Sequence, residues 1–422
     1  MYESICIFED NRFRQLYPLT LTRPVFDLRC GIFSLKEKLM RRFPQKSVYL
    51  LCRKYLGEIV KNQHPDVAIN ELPDESTKYC LFINGRLLAD AEFLNRLEMD
   101  ERIYTHKGTI VAALLGAGNR QRLIVNKHNI VDFKETKDVQ TVEIKANLID
   151  YPWDLVHQNS KQIEADFTDL NEGGQSLGNV SKDAILLNIP NIRIGINSVI
   201  KAGAVLDAEH GPIYIGENVT IMSNTVIEGP AFIGDNSIIK IGAKIYAGTS
   251  IGEWCKVGGE VEETIFHAFS NKQHDGFLGH SYLGQWVNLG ADTNNSNLKN
   301  NYSSVRLFID GEFIDSGSQF VGLFMGDHCK SGINTMFNTG TVVGAMSNIF
   351  GGGFPPKNIP SFAWGGSDGF VEHDLEKALE TGRIVMARRG VEMTADYEKM
   401  IRNIFDLTKA GRQVLAIQPS KA

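Results

Sequence analysis

The chain has 422 residues and a formal net charge of -6, too long for one ordinary core, so two or three domains are expected. Its acidity argues against a nucleic-acid partner held by bulk electrostatics. No run nears the ~20 apolar residues of a membrane span, and Met1-Tyr2-Glu3-Ser4 lacks a basic leader, so a cytoplasmic protein without membrane partners is expected. Cys6, Cys30, Cys52, Cys80, Cys255 and Cys329 form no CxxC pair and read as buried thiols.

Apolar runs at Ile5 to Phe8, Ser47 to Leu51, Cys80 to Ile83 and Thr109 to Leu115 alternate with polar or helix-like stretches such as Ser34 to Phe43. That alternation predicts a parallel sheet in a Rossmann-like α/β domain over 1–165. The polar run Asn171 to Asn179 reads as part of a linker over 166–190.

The strongest signal follows. Ile215, Ile221, Ile227, Ile233, Ile239, Ile245, Ile251 and Val257 keep a six-residue grid without a slip, and a second grid of small or β-branched residues from Val219 to Val261 is locked to it. A period of six fits very short strands separated by identical turns, the hexapeptide form of the parallel β-helix. Three hexads close one triangular coil. The grid begins softly near Ile192, is interrupted from Glu262 to Phe277 and again from Asn294 to Ser318, and ends at the Gly351-Gly352-Gly353 run. Such interruptions are expected to project as loops from one face, where function commonly sits. A left-handed β-helix is therefore expected over 191–365, with a helical tail over 366–422. In the tail, Asp374 to Ala387 and Thr394 to Leu407 carry apolar residues at i, i+3, i+4 spacing, and Thr394 is available as an N-cap.

His280 lies between the first interruption and the returning grid, where a neutral imidazole could take a proton from an incoming nucleophile. Gly279-His280-Ser281-Tyr282-Leu283-Gly284, followed by Asn288-Leu289-Gly290-Ala291 and the Asn-rich loop to Asn297, resembles the acetyltransferase half of the bifunctional N-acetylglucosamine-1-phosphate uridylyltransferase/glucosamine-1-phosphate N-acetyltransferase family. The resemblance covers about 190–345. It implies acetyl transfer from acetyl-CoA to an amino-sugar 1-phosphate, with His280 as general base, the Ala291 N–H polarising the thioester carbonyl and Asn297 holding the sugar or His280. Tyr282 belongs to the same motif and is taken as substrate-binding. The family's arginines facing the sugar phosphate fall on Lys244 and Tyr246, and Lys299 or Arg306 could supply positive charge. The family also implies a homotrimer.

Arg14 to Pro24, Asn84-Gly85-Arg86 and Pro152-Trp153-Asp154-Leu155 resemble segments of sugar-1-phosphate nucleotidyltransferases. Arg12, Arg14, Arg23, Asn84 and Gly85 become candidates for nucleotide or phosphate binding, with Mg²⁺ a possible partner. Three departures stand against catalysis. The glycine-rich loop is Phe8-Glu9-Asp10-Asn11-Arg12-Phe13, the lysine after the proline is Val25, and the magnesium-binding aspartate is Arg86. Two other functions are open: a metal-dependent lyase like the γ-carbonic anhydrases, using His267, His274 and His280, or a non-catalytic nucleotide-sugar binding protein.

Overall fold

The structure, a computed structural model, describes residues 2–98, 100–125 and 129–414. It divides into two compact units: Met1–Leu16, Thr22–Leu28 and Phe33–Asp150 form the first, and Tyr17–Leu21, Arg29–Ile32 and Tyr151–Ala422 the second.

The first unit is built on a seven-stranded sheet. In chain order its elements include β1 (Ser4–Phe8), α1 (Leu35–Arg42), β2 (Ser47–Leu51), α2 (Gly57–Gln63), β3 (Ala68–Ile69), β4 (Tyr79–Asn84), β5 (Arg102–His106), β6 (Thr109–Gly116) and β7 (Gln140–Glu143). The strand order is β3-β2-β1-β4-β6-β5-β7. The first four are parallel, and β6 runs against both β4 and β5. All four apolar runs read from the sequence fall on strands. Ile5, Cys6 and Ile7 are fully buried, as expected of a strand covered on both faces. α1 starts where Ser34 and Glu37 close a reciprocal capping box.

The second unit winds into a three-sided parallel β-helix. Its first side runs from Asn179–Val180 through Asn271–Lys272, its second from Ile185–Leu187 through Phe277–Gly279, and its third carries nine strands from Ile192–Ile194 to Asn358–Ile359. Stacked coils align one hexad residue on another: Ile221 on Ile239 on Val257, Ile227 on Ile245 on Val261, Ile215 on Ile233 on Ile251. These side chains form the core and are essentially unexposed, each worth roughly 1.5–3 kcal/mol of burial. Coils stack so tightly at the corners that a Cβ on Gly252 would sit 1.9 Å from the His267 carbonyl oxygen.

Four features differ from the sequence reading. Residues 151–165 cluster with the second unit, because helix α3 (Pro152–Leu170) packs Trp153, Leu155, Val156 and Ile163 inward and bonds the third side through Asn159. The coil starts before Ile192: Asn179–Val180 and Ile185–Leu187 are already paired strands. Val180 and Leu186 pack on the core at six-residue spacing, a signal hidden by the polar residues around them. Residues 262–277 are no projecting loop, since strands Ile265–Ala268 and Asn271–Lys272 continue the coil. The grid vanishes there because the turn is shortened and Lys272, aligned on Val257, takes an aliphatic position. The coil also continues past the glycine run, to Ala363–Gly366 on Asn348–Ile349.

The excursion after Asn294–Asn295 does leave the coil, as a hairpin of Arg306–Ile309 with Glu312–Asp315, and rejoins it at Leu323–Met325. In the tail, α4 (Leu375–Ala387) and α5 (Ala395–Leu407) are capped by Asp374 and Thr394, and α6 (Lys409–Val414) follows. Met400, Ile401 and Ile404 are buried, and Phe405 meets Phe362 of the coil edge-on at 4.9 Å. Among the described residues no helix is long and apolar enough to cross a membrane.

Candidate active site

His280 occupies a corner of the coil between the second-side strand Phe277–Gly279 and the third-side strand Tyr282–Gln285. Glu263 fills the equivalent corner one coil earlier, between Glu260–Glu262 and Ile265–Ala268. The hairpin excursion departs from that same corner one coil later. Ladder bonds fix the His280 backbone from both neighbours: its N–H donates to the Glu262 carbonyl at 3.0 Å, and its carbonyl accepts the Gly322 N–H at 2.8 Å. Both His280 and Glu263 have positive φ, +48° and +39°, a conformation that turns the side chain out of the coil at the price of local strain.

The imidazole is held on three sides. Its Nε2 lies 3.3 Å from Glu263 Oε2, its Nδ1 lies 3.0 Å from the Asn297 amide nitrogen, and the Phe320 ring stacks on it with centroids 5.1 Å apart. A neutral ring with its proton on Nε2 satisfies both polar contacts, donating to Glu263 and accepting from Asn297. The Glu263 carboxyl lies below its ordinary value through its hydrogen bond from His280, which outweighs burial, with the charges of His280 and His157 adding to it. Asn297 also reaches Glu262 Oε2 at 3.5 Å. The His280 side chain is nearly covered, 7% exposed, and its one basic nitrogen, Nδ1, is engaged by the Asn297 amide. A carboxylate behind it can stabilise the imidazolium that forms.

Of the other predicted residues, Lys244 and Tyr246 lie on the second side at earlier coils of the same column, with Lys244 exposed and 3.7 Å from Glu260. Lys299 and Arg306 lie in the excursion. The Lys299 ammonium donates to the Ser304 carbonyl, and the Arg306 guanidinium lies 5.8 Å from the Phe313 ring centre. Two assignments do not fit. Tyr282 is fully buried, and its hydroxyl accepts the Arg29 N–H at 3.0 Å and meets His267 Nδ1 at 2.9 Å, so it is a covered structural residue without access to substrate. Ala291 precedes Asn294–Asn295 at the corner between the first and second sides, where its carbonyl accepts the Asn334 N–H. Only eleven residues separate it from His280, less than the coil needed to return to the same corner, so within one chain a full side lies between them. His267, on a third-side strand, and His274, beside Lys272, do not converge on His280 either. Among the described residues no group of three His, Cys, Asp or Glu is placed to hold a metal. Glu263 and Phe320 were missed in sequence. Glu263 sits in an ordinary acidic run, Glu260-Val261-Glu262-Glu263, and only the stacking of coils aims it at His280.

The ligand end of a parallel sheet is at the carboxyl ends of its strands, here β1 and β4. In the first unit that end is filled from within. Arg86, wholly buried, grips Asp10 at 3.0 and 2.5 Å and Asp150 at 2.6 Å, and donates to the Ile149 carbonyl. Burial pushes the Asp10 carboxyl up, but the charge and hydrogen bonds of Arg86 outweigh it and hold it below its ordinary value. The Glu9 carboxylate, also buried, accepts the N–H groups of Val25 and Arg53, both at 2.9 Å, and pairs with the Arg53 guanidinium. Asn84 spends its side chain on Asp10, Ile110 and the Arg86 N–H, and a Cβ on Gly85 would sit 2.9 Å from Phe26. Asp90 caps a short helix at Phe93 and does not replace the missing aspartate. Arg23 is buried, whereas Arg12 and Arg14 are exposed, Arg12 at 3.4 Å from Asp150. A divalent cation does not fit this end, because its carboxylates already hold a guanidinium.

The fold and site thus define an α/β unit joined to a hexapeptide-type β-helix with a histidine at one corner. Residues 5–175 match the family model described as sugar nucleotidyl transferase. The bifunctional sugar-1-phosphate nucleotidylyltransferase/acetyltransferase of Sulfurisphaera tokodaii is 32% identical over 151 residues, 35% of this chain and 38% of that protein. The bifunctional protein GlmU of Heliobacterium modesticaldum is 29% identical over 136 residues, 32% of this chain and 29% of its own length. The chain therefore spans well under half of these two relatives. GlmU of Methanococcus aeolicus is 26% identical over 412 residues, 86% of this chain and 93% of the relative. A UDP-N-acetylglucosamine acyltransferase from Campylobacter jejuni covers 56% of this chain and 92% of its own at 16% identity and a TM-score of 0.32, which adds nothing to the β-helix already described. The matches place the chain among the sequence relatives of the bifunctional nucleotidyltransferase/acetyltransferases.

Proposed function

We propose that the chain is an acyl-CoA-dependent sugar N-acyltransferase that moves an acetyl group from acetyl-CoA to the amine of an amino-sugar 1-phosphate. The observation that carries this reading is the His280 imidazole held between Glu263 and Asn297 at an interrupted corner of the coil. The acceptor amine displaces the Asn297 amide and gives its proton to Nδ1 as its nitrogen attacks the thioester carbonyl. The C–N bond forms, the C–S bond breaks, and the proton passes from His280 to the departing thiolate. Glu263 fixes the ring and stabilises the imidazolium. Asn297, released from Nδ1, is free to bind the sugar, and Lys299 and Arg306 supply the cations of the nearby excursion. A homotrimer in the cytoplasm is the proposed setting, with light scattering as its check.

The first unit is proposed to bind a nucleotide or sugar phosphate at most, through the exposed Arg12 and Arg14, without turning it over. No step is assigned to Mg²⁺. Purified protein given acetyl-CoA and glucosamine-1-phosphate should release free thiol, and His280→Ala should abolish the release. Absence of thiol with every amino-sugar phosphate offered would refute the proposal.

A further inference from the structure

Three contacts restrain the His280 ring, and one residue outside every motif is bonded to the residue that makes one of them. α3 is pinned to the third side of the coil by Asn159, whose amide donates to the Gly248 carbonyl at 2.8 Å and to Ser250 Oγ at 2.9 Å. Two residues earlier on the same helix, the Nε2–H of His157 donates to the Phe320 carbonyl at 3.1 Å, and Ser318 Oγ lies 3.4 Å from the same nitrogen. The His157 charge also acts on Glu263, helping to hold its carboxyl low.

We infer that His157 is a positioning residue of the acyl-transfer site, fastening the base of the 298–320 excursion to α3 so that Phe320 stays stacked on His280. The inference rests on the reading of His280 as general base. Elsewhere the base of the excursion is tied by the Leu298–Phe320 bridge and by the Val321 N–H on the Asn297 carbonyl. Phe320 is 41% exposed as a residue, so packing holds it less firmly than α3, which is anchored by a buried apolar face. A bond from the anchored helix to the carbonyl of the exposed residue transfers that rigidity to the ring. With one face of the imidazole covered and Nε2 engaged, Nδ1 is aimed in a single direction. Without the bond the ring gains orientations in which Nδ1 misses the amine. That loss falls on the chemical step and leaves ground-state binding largely alone.

The test uses the full chain and three variants, His157→Ala, His157→Gln and Phe320→Ala, with steady-state thiol release and hydrogen exchange at the Val321 and Gly322 amides. His157→Ala should lower kcat about tenfold, the value of one lost hydrogen bond, with little change in either KM and faster exchange at both amides. His157→Gln should restore both readouts, because a glutamine amide can reach the same carbonyl. Phe320→Ala should lose as much as His157→Ala, and the double variant no more than Phe320→Ala alone. Wild-type kcat in His157→Ala, or failure of His157→Gln to recover, overturns the inference. If the unaltered chain releases no thiol, the proposed activity fails by itself. The exchange measurement then decides the clamp, and unchanged protection in His157→Ala overturns it.

Discussion

At the ligand end of the first unit each buried charge has an internal partner: Arg86 lies between Asp10 and Asp150, and Glu9 takes Arg53 together with two backbone N–H groups. At the corner of the coil His280 keeps one nitrogen whose partner is a neutral amide on a loop. The two places are both well ordered by hydrogen bonds, yet they differ in what a ligand would have to displace. At the first it must break charge-assisted bonds in a buried site, whose loss typically costs about 3–5 kcal/mol. At the second it exchanges one hydrogen bond for another, worth about 0.5–1.5 kcal/mol net. A ligand enters more cheaply where the best acceptor is weakly held, and by that measure the second unit is the one proposed to react.

The largest expected effect is at the His280 site. His280→Ala should reduce thiol release by about 10²–10⁴-fold, the range of general base catalysis, with an unfolding midpoint close to that of the parent. At the filled site the effect should be on stability instead. Arg86→Met leaves the part-buried Asp10 and the more exposed Asp150 without their wholly buried cation and should cost up to about 3–5 kcal/mol by denaturant unfolding, with thiol release per folded molecule unchanged. The sign with pH follows from Asp10. Its carboxyl titrates lower in the folded protein than in the unfolded chain, so it adds stability above the ordinary carboxylate value, and that share is lost as the pH falls through its lowered one. Arg86→Met should flatten this part of the acid unfolding curve.

A third contrast lies inside the coil. Lys272 takes a core position and donates to the carbonyls of Gly258 and His274, and burial pulls its ammonium down to about 8. Between about 8 and the ordinary lysine value the unfolded chain holds more protons, so stability rises with pH across that window, by up to about 3 kcal/mol. Lys272→Met should remove the slope, as read from unfolding midpoints at pH 7.5 to 10.5. The smallest effect is expected at the tail, where Thr394→Ala loses the cap on the Tyr397 N–H and should cost about 1 kcal/mol.

The periodic part of the chain was legible because each inward position of a solenoid is a repeated, independent vote for the same geometry. Ile215 to Val257 fixed the coil, and Asp374 and Thr394 marked both tail helices. Legibility failed where one coil departs from eighteen residues. Lys272 and the short turn around Gly258 erased the grid over a stretch that is still coil. Glu263 is adjacent to His280 only through coil stacking, and His157 only through a helix far away in sequence. Tyr282 lies in a motif with His280 but is wholly covered: Leu283 beside it enters the coil core, while the Tyr282 hydroxyl is spent on the Arg29 N–H and His267. In the first unit the missing glycines and the Arg86 replacement were visible as departures. That Glu9 and Arg86 fill the vacated places was not, because it depends on which buried groups meet.

The central contrast is tested most directly by assaying one preparation of the intact chain twice: for thiol release from acetyl-CoA with glucosamine-1-phosphate, and for Mg²⁺-dependent exchange of pyrophosphate with UTP in the presence of a sugar 1-phosphate. The account predicts thiol release that vanishes in His280→Ala, and no exchange in either protein. Pyrophosphate exchange by the parent, or thiol release that survives the loss of His280, would contradict it.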